Sequence, residues 1–162
     1  RVLLEAAKLV WRHVPEVQFV FIGPRTPYSR RLFANVTDRR VLELDIVDLH
    51  EKTDALAACD VLCLPSSQES FGGVFVEAWS MSKPVVGCDI PAVREVVEDG
   101  VDGYLVPQQS QPLAERLLYL LEKPELRKQF GQRGLEKVNA LYSWPHLAER
   151  TEQVYRHVQR RL

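Results

Sequence analysis

Val2, Leu3, Ala6, Ala7, Val10, Trp11 and Val14 recur at helical spacing and make one apolar stripe, which Pro15 stops. The period then changes. Val17-Gln-Phe-Val-Phe-Ile22 is nearly continuous in apolar residues, as a strand covered on both faces is, and Gly23-Pro24-Arg25 turns the chain. Residues 26–35 predict a helix carrying Arg30 and Arg31, residues 41–44 a second strand, and residues 53–59 an alanine-rich helix. Val61-Leu-Cys-Leu64 reads as a third strand, followed by a loop and a helix running to Met81. A strand over 84–88, a short helix over 92–98 ended by Asp99-Gly100, and a strand over 104–106 come next, and helices over 113–122, 125–141 and 147–162 finish the chain. Strands alternating with helices predict an α/β domain with a parallel sheet, helices on both faces and right-handed crossovers. Ligands of such sheets bind at the carboxyl ends of the strands, where the loops after Ile22, Leu44, Leu64 and Cys88 lie.

The loop after the third strand carries the chemistry: Pro65-Ser-Ser-Gln-Glu-Ser-Phe-Gly-Gly-Val-Phe-Val-Glu77. The pattern puts Gly72 and Gly73 in the first helical turn, where each costs roughly 1 kcal/mol against alanine. Glycine there lets a ligand approach N–H groups that have no internal partner and carry the positive end of the helix dipole. Phosphate or sugar oxygens suit such a place. Glu77 is the one charged residue between Phe71 and Ser82, with the small residues Gly73 and Ser80 beside it at helical spacing, and Glu69 can reach the same mouth. Two acceptor-only carboxylates bracketing exposed N–H donors fit a ligand with both hydroxyls and phosphates, which describes a nucleotide sugar. Spacing alone leaves a second reading open, in which Glu69 meets the helix dipole, Glu77 is solvated and the glycines serve packing.

Composition narrows the classes. A chain of 162 residues with 46% hydrophobic residues suits one compact domain, and 21 basic against 22 acidic residues leave no field to draw nucleic acid or an acidic membrane. Cys59, Cys63 and Cys88 lie in or beside apolar runs and read as buried free thiols of a reducing compartment, without the second pair a zinc site needs. No apolar stretch approaches the ~20 residues of a membrane span. No signal peptide is visible, and a chain opening at Arg1 inside a helical pattern reads as a fragment. His13, His50, His146 and His157 are scattered and suit surface or capping roles; Trp11, Trp79 and Trp144 sit at helical positions that favour core packing. The last helix carries a stripe of Leu147, Thr151, Val154, Tyr155, Val158 and Leu162, with Arg150, Arg156, Arg160 and Arg161 largely elsewhere. It is expected to cover a face of the same domain, with a partner domain or a membrane surface as alternatives.

These residues resemble the retaining, nucleotide-sugar-dependent glycosyltransferases of family 4, which have two Rossmann-like domains in the GT-B arrangement. The likeness rests on Glu69-Ser-Phe-Gly-Gly-Val-Phe-Val-Glu77, supported by Asp60-Val-Leu-Cys-Leu-Pro-Ser66, Lys83-Pro-Val-Val86, Glu95-Val-Val-Glu-Asp-Gly100, Gly103-Tyr-Leu-Val-Pro107 and Tyr142-Ser143-Trp144. It implies that residues 1–162 are the C-terminal, donor-binding domain, with its first strand and the N-terminal acceptor domain absent, so that this fragment alone is inactive. Glu77 would accept hydrogen bonds from the ribose hydroxyls, and Glu69 would contact donor-sugar hydroxyls near the reacting carbon as the catalytic carboxylate. The Phe71 and Gly72 amides would help hold the sugar, and Gly73 and Val74 would offer N–H groups to the diphosphate. The implied reaction passes a sugar to an acceptor hydroxyl with retention, without metal or cofactor, and the sequence contains no Asp-x-Asp. The resemblance also implies a cytoplasmic protein whose membrane contact, if any, is made by the parent protein at the inner membrane face.

Departures from the family pattern include Asp45 in place of a glycine, Pro91-Ala92 in place of a glycine pair, and the turn Gly23-Pro24-Arg25. Arg25, Arg30 and Arg94 receive no phosphate role, and the family's diphosphate-binding Arg and Lys would precede Arg1. Two other functions stay open: a non-catalytic glycosyltransferase-like binding module, and half of a nucleotide-sugar epimerase.

Overall fold

A computed structural model describes residues 1–160 of the chain. The elements run α1 (Val2–Val10), β1 (Phe19–Ile22), α2 (Pro27–Phe33), β2 (Val41–Leu44), α3 (Leu49–Ala58), β3 (Leu62–Leu64), α4 (Gly73–Ser80), β4 (Val85–Cys88), α5 (Pro91–Arg94) and β5 (Gly103–Val106). Then follow α6 (Ser110–Leu121), α7 (Pro124–Lys137), a π-helical turn (Val138–Tyr142) and α8 (Trp144–Gln159). The alternation read from the sequence holds, and every strand pairing is parallel. The sheet, however, is in two pieces, β1-β2 and β3-β4-β5, because the outer edges of β1 and β3 do not hydrogen-bond to each other.

Apolar packing unites the pieces. On one face Ala6, Ala7 and Val10 of α1 pack with Leu113, Leu117 and Leu120 of α6 over Phe19, Val86 and Val106. On the other, Leu56 of α3 and Phe75, Ala78 and Trp79 of α4 pack over Val85, with Val93, Val96 and Val97 beyond. All four residues of β4 are buried, Val85 toward one layer and Val86 toward the other, which is why that strand has no polar position.

Local chemistry sets the ends. α3 begins at Leu49, a turn earlier than the alanine pattern predicts, because Asp48 and Glu51 form a reciprocal capping box: Asp48 Oδ1 accepts from the Glu51 N–H at 2.8 Å and Glu51 Oε2 from the Asp48 N–H at 3.1 Å. α1 stops at Val10, before the end of its stripe, and the Trp11 indole donates to the Val17 carbonyl at 2.8 Å across the turn. α7 closes on α4 through Gly134, where a Cβ would lie 1.9 Å from the Trp79 ring.

A buried polar network, unforeseen from the sequence, joins these helices. Asp102 is fully buried; its Oδ1 accepts from the Glu98 N–H at 2.9 Å, its Oδ2 meets the Lys137 ammonium, and its carbonyl accepts the Trp79 indole N–H at 3.0 Å. Lys137 also donates to the Val96 carbonyl at 3.0 Å. Burial pushes the Asp102 carboxyl above its ordinary value, against the pull of Lys137.

Three sequence expectations need correction. The α8 stripe does not cover this domain: Trp144 is 85% exposed, and Val154, Tyr155 and Val158 are also exposed, while Arg161 and Leu162 lie outside the described residues. Leu147, at its start, is partly buried; beyond it none of the described residues covers the stripe. Trp144 therefore is no core residue, whereas Trp79 is completely buried. Of the three free thiols only Cys88 is buried; Cys59 and Cys63 are partly exposed.

Candidate functional site

β3 delivers the chain to the carboxyl edge of its sheet, and Pro65 begins the loop that ends at α4. The Gln108 side chain, in the loop after β5, donates to the Pro65 carbonyl at 2.9 Å and ties the two loops together. Gly72 does not lie in the helix, as the sequence suggested. It is the N-cap, in the left-handed region at φ 77° and ψ 41°, and a Cβ there would stand 2.8 Å from the Phe75 ring. Only Gly73 therefore bears the helical glycine penalty. A Cβ on Gly73 would meet nothing within 4 Å, so the approach to the helix start is open.

Among the described residues no side chain caps α4. The Phe75 N–H turns back to the Gly72 carbonyl at 2.9 Å, while among the described residues the Gly73 and Val74 N–H groups have no acceptor. Two donors at the positive end of a helix dipole face an open approach. Glu69 lies in the loop, half-buried and with no cation partner among the described residues. Phe71 is 46% exposed, its ring edge-on to Tyr142 of the π-helical turn at 5.6 Å between centroids. The structure thus gathers Glu69, Phe71, Gly72, Gly73, Val74 and Glu77 at one loop and one helix end.

Glu77 is not alone, as its helix implied. Lys52 of α3 places Nζ 2.7 Å from Glu77 Oε1, with the two side chains 36% and 43% exposed. Twenty-five residues separate them, and only the packing of α3 beside α4 joins them. Beside Glu77 the Ser80 hydroxyl donates to the Val76 carbonyl at 2.9 Å.

The remaining loops of this edge are braced by their own ion pairs. Arg94 donates from Nε and Nη2 to the two carboxylate oxygens of Asp89, which keeps the Asp89 carboxyl below its ordinary value. Arg25 sits 3.7 Å from the Glu43 carboxylate and donates to the Glu43 carbonyl at 3.2 Å. Asp45 Oδ1 accepts the Ile46 N–H at 2.8 Å and the Arg25 N–H at 3.3 Å, which lowers its pKa, and its backbone is not left-handed. Arg30 Nε donates to the Arg25 carbonyl at 3.4 Å. His50, given a surface or capping role from the sequence, lies on the exposed side of α3 with Nδ1 3.1 Å from Asp54.

Comparison with known proteins places this geometry. The model for glycosyl transferases group 1 matches residues 1–123. The phosphatidyl-myo-inositol mannosyltransferase of Mycobacterium leprae (strain TN) is 36% identical over 156 residues, which are 95% of this chain and 41% of that protein. The chain thus spans about two fifths of the length of that relative. Among solved structures, the C-terminal domain of a glycosyl transferase group 1 family protein (LpcC) from Francisella tularensis is 27% identical with a TM-score of 0.79, covering 88% of this chain and 78% of that one. Anabaena Alr3699/HepE, crystallised with UDP-glucose, is 25% identical with a TM-score of 0.82, covering 98% of this chain and 44% of that one. With the family pattern running through the β3 to α4 loop and most of the chain around it, this protein belongs to the glycosyl transferases group 1.

Proposed function

We propose that the chain is the donor-binding domain of a retaining GT-B glycosyltransferase of family 4, holding a nucleoside-diphosphate sugar for transfer to an acceptor hydroxyl. The observation that carries the reading is the start of α4: two N–H groups without acceptors, an open approach over Gly73, and the Glu77 carboxylate one helical turn further on. Gly73 and Val74 donate to the diphosphate, whose negative charge grows as the sugar leaves, so fixed dipoles there stabilise the transition state. Glu77 accepts from the ribose hydroxyls. Glu69 acts as the catalytic carboxylate on the donor sugar near its reacting carbon, with the Phe71 and Gly72 amides beside it. Neither metal nor cofactor is assigned a part. The named partners are the nucleotide sugar and an acceptor-binding domain elsewhere in the parent protein.

The divided sheet supports that domain assignment. α1 covers the same core as β1 and β4, so a right-handed crossover into α1 and on to β1 would start from a strand beside β1, on the side away from β2. We place the first strand of the domain there, between β1 and β3. The known ligand of HepE, UDP-glucose, and the named activity of the M. leprae relative both fit a nucleotide-sugar site. Three unpaired thiols fit a reducing, cytoplasmic compartment.

Titrating the isotope-labelled chain with UDP, GDP and ADP tests the reading. The amides of Gly73 and Val74 are expected to shift first. Shifts confined to another surface, such as the cleft lined by Leu4, Trp11, Leu32 and Arg40, would refute it.

A further inference from the structure

Lys52 plays no part in the roles assigned so far, yet it stands at the site. Its ammonium lies 2.7 Å from Glu77 Oε1, reaching from α3 across to α4. Glu77 Oε2 accepts no hydrogen bond among the described residues, and of the three donors on the Lys52 ammonium one is used. Both side chains keep more than a third of their surface exposed, so neither is sealed from a ligand. A solvated pair of this kind adds little to stability, which is thin reason for holding a cation on the carboxylate of a binding site.

The chemistry of the pair is more specific than that of a carboxylate alone. A carboxylate only accepts and an ammonium only donates, whereas a hydroxyl does both. A vicinal diol set against the pair can donate a hydrogen bond to Glu77 Oε2 through one hydroxyl and accept a hydrogen bond from Lys52 Nζ through the neighbouring oxygen. The geometry points to Lys52 and Glu77 as a joint reader of the ribose diol, with Lys52 a binding residue that also fixes the carboxylate's orientation. This rests on the donor-site reading above. It adds a specificity: the site rejects nucleotides lacking both ribose hydroxyls, and the lysine contributes to that rejection. α3 becomes part of the donor site through Lys52, although its sequence carries none of the family motif.

The test compares UDP and GDP with their 2′,3′-dideoxy counterparts, by calorimetry or NMR titration, on the wild type, Lys52→Met and Lys52→Arg. Lys52→Gln, a second neutral variant, guards against a folding defect in any one substitution, and each variant's amide spectrum checks the fold. Lys52→Met and Lys52→Gln are expected to weaken the bound ribonucleotide roughly five- to twentyfold, the low end for a hydrogen bond to a charged group because the pair is solvated. The dideoxy nucleotide should change by less than about twofold, and Lys52→Arg should keep most of the wild-type preference. Neutral variants with wild-type affinity, or with equal losses for ribo and dideoxy nucleotides, would overturn the inference while leaving the donor site standing. A wild type that binds neither UDP nor GDP would overturn the donor-site reading itself, and this inference with it.

Discussion

Replacing Lys137 by Met leaves the Asp102 carboxylate inside the protein without its cation. Breaking a buried pair from one side costs about 3–5 kcal/mol. Two features reduce that figure here: the Lys137 side chain keeps 19% of its exposure, so water can reach the vacated place, and Asp102 Oδ1 keeps the Glu98 N–H. A loss of roughly 2–4 kcal/mol near pH 8 follows, or about 5–15 °C in Tm for a domain of this size. The pH dependence gives the sign. Burial already holds the folded Asp102 pKa above its unfolded value, so the folded state binds more protons there, and Asp102's contribution falls as pH rises through the folded pKa. Lys137 is among the groups pulling that pKa down, so removing it raises the pKa further and widens the variant's deficit toward alkaline pH. Urea unfolding followed by tryptophan fluorescence at about pH 4.5 and about pH 8 measures both quantities. The Asp102→Asn, Lys137→Met double variant should recover part of the loss at the higher pH. A deficit below ~0.5 kcal/mol at pH 8, or one unchanged between the two pH values, would refute this account of the network.

Two further substitutions test the elements that build the site. Gly72→Ala places a side chain at φ 77° and against Phe75, so it should cost about 1–3 kcal/mol by chemical denaturation; a neutral result would mean that α4 starts differently. Asp48→Ala removes the capping box of α3 and should cost roughly 1 kcal/mol, with amide-exchange protection lost first at residues 49–52, and unchanged protection there would remove the cap from the account.

How much of this was legible in the sequence depends on how local each signal is. The strands were readable because near-continuous apolar runs such as Val17-Gln-Phe-Val-Phe-Ile22 and Pro84-Val-Val-Gly-Cys88 are what a sheet covered on both faces requires. The stretch from Val61 to Glu77 was readable as a strand, a loop and a helix start. The start of α3 was missed because Leu49-His-Glu-Lys52 has no apolar stripe and its signal is the Asp48 and Glu51 cap alone. Asp102, among Glu98-Asp-Gly-Val-Asp-Gly103, looks like a turn residue; it is buried because Trp79 and Lys137 arrive from α4 and α7. Lys52 was invisible for the same reason, since nothing within its own helix points to Glu77. The α8 stripe was legible as apolar, but a stripe says nothing of what covers it.

The central claim is that the start of α4, with Glu77, holds a nucleoside diphosphate. The most direct measurement is ligand-observed NMR of the chain with UDP, GDP and ADP at millimolar concentration, repeated on a folded Glu77→Ala variant. The account predicts selective binding of one nucleotide, weakened by about 1.5–3 kcal/mol in the variant, the range for hydrogen bonds to a charged group. Equal affinity in wild type and variant would contradict it and remove Glu77 from the site.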